Sequence, residues 1–279
     1  MKKHLSTILL VLILFLGIAV LLYPTVSDYW NSFHQSRAIA SYIEQIESID
    51  PADYDKEFER ARAYNEALAQ KPNRFVLSDE DYEEYESLLN LTGSGIMGYI
   101  EIPKISCSLP VYHSTDEAVL QIAVGHIEGT SLPTGNPGTH VVLSGHRGLP
   151  SAKLFTDLDQ MEEGDLFVIR VLDRIMTYEV DQVLIVLPEE MDALAIDPEQ
   201  EYCTLVTCTP YGINSHRMLV RGHRTENVEM EQIIRIVSDA TQVEPLLVAP
   251  IIAAPMLLVL LIWMLVSTGK KQRRHRIKS

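Results

Sequence analysis

The chain has 279 residues, 47% of them hydrophobic and 22% charged, which excludes a disordered tail or a collagen-like chain. Its net formal charge is −15, but eight of the 23 basic residues sit at the two ends while all 38 acidic ones lie between them. That leaves 15 basic residues and a charge near −23 in the middle, which excludes nucleic-acid binding through a basic patch.

Residues 5–27 contain no charge over 23 positions, and residues 245–269 none over 25. Each run exceeds the roughly 20 apolar residues that a membrane-spanning helix needs. Lys2 and Lys3 precede the first, and Lys270, Lys271, Arg273, Arg274, Arg276 and Lys278 follow the second. Basic residues close to a span stay cytoplasmic. The chain therefore reads as a two-pass membrane protein with both termini inside and an exported middle. The first span reads as an uncleaved anchor, because no A-x-A site follows it. Thr25-Val26-Ser27 is a passable small-x-small site, so a cleaved signal peptide is the alternative. The basic tail reads as a topology signal, with anionic lipid headgroups as a secondary ligand.

Residues 28–71 read as two helices. Tyr29, Phe33, Ile39, Ile43 and Ile46 recur at near-helical spacing, Asp50-Pro51 interrupts them, and Phe58, Ala61, Tyr64, Ala67 and Leu68 resume the pattern. Pro72 ends the second helix. The acidic run Asp79, Glu80, Asp81, Glu83, Glu84 and Glu86 reads as a solvated helix face, since it lacks the glycine and spacing of a calcium loop. From Met97 onward the pattern becomes short runs rich in Val, Ile, Leu and Tyr, cut by turn residues. Strands are expected at 98–102, 109–112, 140–144, 166–171, 176–186, 202–208 and 218–221, which suggests a β barrel or sandwich. Residues 228–239 then read as an amphipathic helix leading into the second span.

Three cysteines in an exported chain leave at least one thiol free. Cys203 and Cys208 lie five apart on one expected strand. Side chains alternate along a strand, so these two point to opposite faces, roughly 16 Å apart at about 3.3 Å per residue. That is beyond the roughly 7 Å between Cα atoms that a disulfide tolerates. No Cys or His cluster has zinc-ligand spacing, and no metal or organic cofactor is expected. Cys208 ends its strand and opens into the loop Thr209-Pro210-Tyr211-Gly212, where a substrate has access. Arg217 begins the next expected strand. If the two strands pair, its guanidinium comes beside Cys208, favouring a thiolate and offering donors to an oxyanion. A thiol nucleophile also needs a proton partner. His146, in Ser144-Gly145-His146-Arg147-Gly148, is one candidate; His126, His216 and His223 are others, and spacing does not choose among them.

The strings TLVTCTPYGINSHR (204–217) and SGHRG (144–148) resemble the active-site pattern of sortases, the cysteine transpeptidases of Gram-positive cell surfaces. IMGYIEIPKI (96–105), GHIEGTSLP (125–133), GHRGLPSAKLFTDLD (145–159) and LVRGHR (219–224) resemble the class C, pilin-polymerising branch. The resemblance implies a mainly β fold, a sortase-type eight-stranded barrel with an N-terminal helical extension and two terminal transmembrane helices. The implied organisation is a cytoplasmic end and anchor over 1–27, a helical extension over 28–95 and a catalytic barrel over 96–226. A juxtamembrane helix over 227–244, a second span over 245–269 and a basic tail over 270–279 complete it.

The resemblance also selects Cys208 as nucleophile, His146 as general acid and base, and Arg217 as the carbonyl or oxyanion donor. The implied substrates are secreted pilins or surface proteins bearing a Leu-Pro-x-Thr-Gly-like sorting signal, joined to a lysine of another pilin subunit. Anchoring to a cell-wall amine, simple cysteine endopeptidase activity and a non-catalytic scaffold are the alternatives. Class C sortases commonly carry an Asp-Pro-aromatic lid motif before the barrel, and this chain departs from it. Asp50-Pro51 is followed by Ala52, and Asp197-Pro198 lies far downstream. The corresponding segment contains Arg74-Phe75, and Phe75 is the expected lid residue over Cys208.

Overall fold

Helix α1 (Leu5–Glu47) ends just before Asp50, whose side chain accepts a hydrogen bond from the Ala52 amide at 2.9 Å. Pro51 then opens α2 (Pro51–Ala69) at a position where its missing N–H is not needed. The sequence Asp50-Pro51 is thus a helix cap. The structure is a computed structural model that describes residues 5–227. The expected 228–239 helix, the 245–269 span and the basic tail lie outside the described residues. Helix α1 is long and apolar enough to cross a membrane. Residues up to Tyr29 belong to one compact unit, and Trp30 begins another, which carries the barrel.

Tyr54, Phe58, Ala61, Tyr64 and Leu68 form the buried stripe of α2, at intervals of 4, 3, 3 and 4 residues. This is the periodicity of one helical face. Helix α3 (Asp79–Ser87) starts with a capping box. Ser78 Oγ accepts from the Asp81 amide at 3.2 Å, and the Asp81 carboxylate accepts from the Ser78 amide at 3.4 Å. Asp79, Glu80, Glu83, Glu84 and Glu86 face solvent as expected, while Tyr85 is fully buried.

The eight strands are β1 (Ile96–Ile102), β2 (Cys107–Tyr112), β3 (Val124–His126), β4 (Thr139–Ser144), β5 (Leu166–Val171), β6 (Arg174–Val186), β7 (Glu201–Thr209) and β8 (His216–Arg224). They close in the order β1-β2-β3-β4-β7-β8-β6-β5, which removes every free sheet edge. The pairs β2/β3 and β4/β7 are parallel and the other pairs antiparallel. Strand β3, absent from the sequence reading, has three residues, too few to display alternation. It nonetheless completes the closure by pairing with β2 and β4.

Inward positions such as Phe167, Tyr178, Cys203, Leu205 and Val220 fill the barrel core, which extends beneath α2 and α3. A second apolar cluster lies on the outer face. Val142, Val206 and Leu219 come from β4, β7 and β8, and Leu194 comes from the β6–β7 loop. Strand β7 is therefore covered on both faces over most of its length.

Candidate active site

Cys208 and Arg217 are direct partners in the β7–β8 ladder, so both side chains project from the same, outer face. The expected pairing is present. Cys203, at odd separation, is fully buried on the opposite face within the barrel core. Cys107 has its Sγ 3.9 Å from the Leu154 carbonyl. Burial pushes the Cys107 thiol up to about 12 and the Cys203 thiol well above its ordinary value, so both stay protonated near neutral pH. A raised pKa disfavours both as thiolate nucleophiles. Cys208 is partly exposed, one residue before the end of its strand.

His146 lies two residues past the end of β4, which pairs in parallel with β7. Ser144 pairs with Val206, and the Gly145 amide donates to the Val206 carbonyl at 3.0 Å. Thr207 Oγ1 returns a bond to the Gly145 carbonyl at 2.8 Å. Beyond the last β4/β7 pair, Ser144–Val206, the chain runs through Gly145 to His146, two residues on, as β7 runs two residues on to Cys208. Both flanking glycines have steric reasons. A Cβ on Gly145 would lie 2.7 Å from the Phe155 ring, and one on Gly148 (φ +75°) would lie 2.5 Å from Tyr211. Tyr211 thus rests on the backbone of the histidine loop, joining it to the loop after Cys208. The glycines around His146 allow a close approach of this kind, but that Tyr211 makes it was not legible in the sequence.

Arg217 Nη1 donates to the Asn214 and His216 carbonyls, each at 3.2 Å. These bonds hold the guanidinium to its own loop and involve only one of its three nitrogens. The rival histidines have other places. His126 is fully buried, its Nε2 2.9 Å from the Ser131 carbonyl and its Nδ1 3.0 Å from the Tyr85 hydroxyl. Burial lowers its pKa to about 4. His216 pairs with Thr209, one step past the Cys208–Arg217 pair and on the other face; His223 pairs with Tyr202 at the far end of the ladder. Among the described residues, no group of three or more His, Cys, Asp or Glu could hold a metal ion.

Arg74 and Phe75 lie beside the β6–β7 loop. Arg74 Nη2 donates to the Leu194 carbonyl at 2.6 Å, and its guanidinium covers the Phe75 ring at 4.6 Å. The same backbone presses on Gly129 (φ +77°), where any Cβ would collide with the Arg74 carbonyl. Phe75 is 36% exposed, more than an ordinary core side chain.

The Sortase domain family model matches residues 100–225. Sortase C1 of Streptococcus agalactiae, a solved structure, is 46% identical with a TM-score of 0.66, over 69% of this chain and 100% of that one. The chain belongs to the sortase family. Members of that family are cysteine transpeptidases, the chemistry suited to a partly exposed thiol facing an arginine. A solved Streptococcus pneumoniae sortase C, reported for its catalysis and pilin substrate specificity, is 41% identical with a TM-score of 0.62, over 68% of this chain and 97% of that one. Sortase D of Bacillus subtilis is 32% identical over 130 residues, 46% of this chain and 63% of that relative. The matched part thus spans less than two thirds of that curated relative. The class C resemblance of the sequence agrees with the solved neighbours.

Proposed function

We propose that the chain is a membrane-anchored class C sortase that cleaves Leu-Pro-x-Thr-Gly-like sorting signals and joins pilin subunits through lysine isopeptide bonds. The observation that carries this reading is the pairing of Cys208 with Arg217 beside the β4 extension that bears His146. In the first half-reaction the Cys208 thiolate attacks the Thr carbonyl carbon, and His146, as imidazolium, gives its proton to the departing Gly amine. A thioacyl enzyme results. In the second, a lysine amine attacks the thioester, loses a proton to His146 and expels the Cys208 thiolate, which restores both groups. Arg217 meets the developing oxyanion with Nε and Nη2, the donors not engaged by the loop carbonyls.

The domain boundaries expected from the sequence belong to the same proposal, with the barrel on the outer side of the membrane and α1 as its anchor. Phe75 is proposed as a lid residue over Cys208. The test is incubation of the full-length protein in detergent or nanodiscs with a sorting-signal peptide and a lysine-bearing acceptor, followed by mass spectrometry. A thioacyl adduct on Cys208 and an isopeptide-linked product support the reading. Cleavage with transfer only to water or to a peptidoglycan-like amine rejects pilin joining.

A further inference from the structure

From Gly145 to Gly148 the chain leaves the β4/β7 ladder, and each residue is held in turn. Gly145 is bound to β7 through the Val206 carbonyl and the Thr207 hydroxyl, at 3.0 and 2.8 Å. The next three residues all turn to one downstream segment. The His146 carbonyl accepts from the Phe155 amide at 3.1 Å, and the Gly148 amide donates to Thr156 Oγ1 at 3.1 Å. Between them, Arg147 Nη2 is ion-paired with the Asp159 carboxylate.

That downstream segment is firmly seated. Phe155 and Leu158 are fully buried in the barrel core, and Leu158–Gln160 forms a single 3-10 turn that carries Asp159. The segment is thus a platform fixed by its apolar side chains, and its polar groups hold the histidine loop. Two of the three holds use backbone amides. The third, the ion pair, rests on two side chains alone.

Arg147 is buried more deeply than its partner. Its side chain is 12% exposed against 42% for Asp159. Its Nε is buried with no hydrogen-bond partner among the described residues. Desolvating a guanidinium is costly, and apolar side chains of similar volume often replace a buried ion pair with no loss of stability. Stability alone therefore gives little reason for a cation here. What the cation adds is a directional link from the residue directly after His146 to a carboxylate on the platform.

We infer that Asp159 is a positioning residue for His146, acting through Arg147 to fix the backbone that carries the imidazole. The inference rests on the proton-transfer role proposed for His146, but the bracing of the loop does not. Because the pair acts on the placement of the proton carrier, its loss falls on kcat and spares peptide binding.

The experiment compares the full-length wild type with Asp159→Ala, Asp159→Asn and the double variant Arg147→Met/Asp159→Leu. Each is measured by steady-state cleavage of a sorting-signal peptide, thermal melting and hydrogen exchange. Asp159→Ala should lower kcat about 10–100-fold, the cost of slightly misplacing a catalytic group. Its KM should stay within about twofold of the wild type, and it should melt earlier because a buried cation loses its partner. Asp159→Asn keeps one acceptor oxygen and should fall between the two. The double variant removes both charges, so its melting temperature should return toward the wild type while kcat stays low. Amides of residues 147–156 should exchange faster in all three variants, while β7 and β8 keep their protection. Recovery of kcat in the double variant would overturn the inference, since the pair would then serve only to neutralise a buried charge. So would unchanged kcat in Asp159→Ala, or a rise in KM at constant kcat. If the wild type cleaves no sorting-signal peptide, the sortase reading fails, and the exchange measurement still decides whether the pair braces the histidine loop. If Asp159→Ala does not fold, Asp159→Asn and the double variant carry all three measurements.

Discussion

Cys208 and Arg217 face one another as a register pair one step before the β7–β8 ladder ends. Side chains directly opposite in an antiparallel pair have Cβ atoms about 5 Å apart, so the two side chains leave the ladder next to each other on one face. Cys208→Ala should abolish both peptide cleavage and subunit joining. Cys203→Ala and Cys107→Ala should leave substantial activity, because burial keeps both thiols protonated. Mass spectrometry of the enzyme trapped with a sorting-signal peptide reads this directly, and an acyl adduct on Cys203 or Cys107 contradicts it.

Arg217→Lys keeps the charge but replaces a planar fork by a single ammonium. The two carbonyl bonds from Nη1 position the fork in the loop, and a lysine that satisfies them has little left for an oxyanion. The expected loss is about 10²–10³ in kcat, the range for removing one oxyanion-hole donor. Turnover close to wild type would show that only the positive charge matters.

The strand phase of β7 and its pairing with β8 were legible in the sequence, because an apolar run ending at Cys208 and another beginning near Arg217 left one loop between them. The covering of β7 on its outer face was not. Val206 and Leu219 read equally well as inward or outward residues in runs that are apolar throughout, and only the fold shows Leu194 arriving from a loop rich in acidic and turn residues. The choice of His146 over His126 had the same limit. Both follow glycine, and it is burial that separates them: His126 is enclosed with both ring nitrogens engaged, by the Tyr85 hydroxyl from α3 and the Ser131 carbonyl.

Gly148→Ala tests the contact between the two active-site loops. The new Cβ would press on the Tyr211 ring at a residue whose φ is +75°. Displacing the histidine loop by a fraction of an ångström should lower kcat by about 10–100-fold, since small misplacements are expensive in catalysis. Combining it with Tyr211→Ala removes the collision and should recover part of the loss. If the double variant is no better than Gly148→Ala, the positive φ rather than the ring is responsible.

His126 and His140 make stability depend on pH. Burial lowers each pKa from the ordinary 6.5 to about 4. The unfolded chain binds protons first as pH falls, so their contribution is complete above about pH 6.5 and is lost as pH drops toward 4. Between pH 7.5 and 5.5 the two together should remove roughly 3 kcal/mol of stability. Urea unfolding at the two pH values checks the sign and the size. Equal stability at both would mean that these rings are not held neutral.

Phe75 provides the last test, of the proposed lid. Its ring is 36% exposed and carries the Arg74 guanidinium at 4.6 Å, so it does not serve as a core anchor. Truncating such a side chain should change stability by no more than about 0.5 kcal/mol, as for other surface positions. A lid must also open, and segments that open belong to the low-stability part of a fold. Phe75→Ala should then speed modification of Cys208 by a small thiol reagent severalfold in the absence of substrate, with the melting temperature nearly constant. The reagent is small enough to report access to the sulfur directly. Unchanged labelling of Cys208 together with unchanged melting would show that Phe75 serves only as the stacking surface for Arg74.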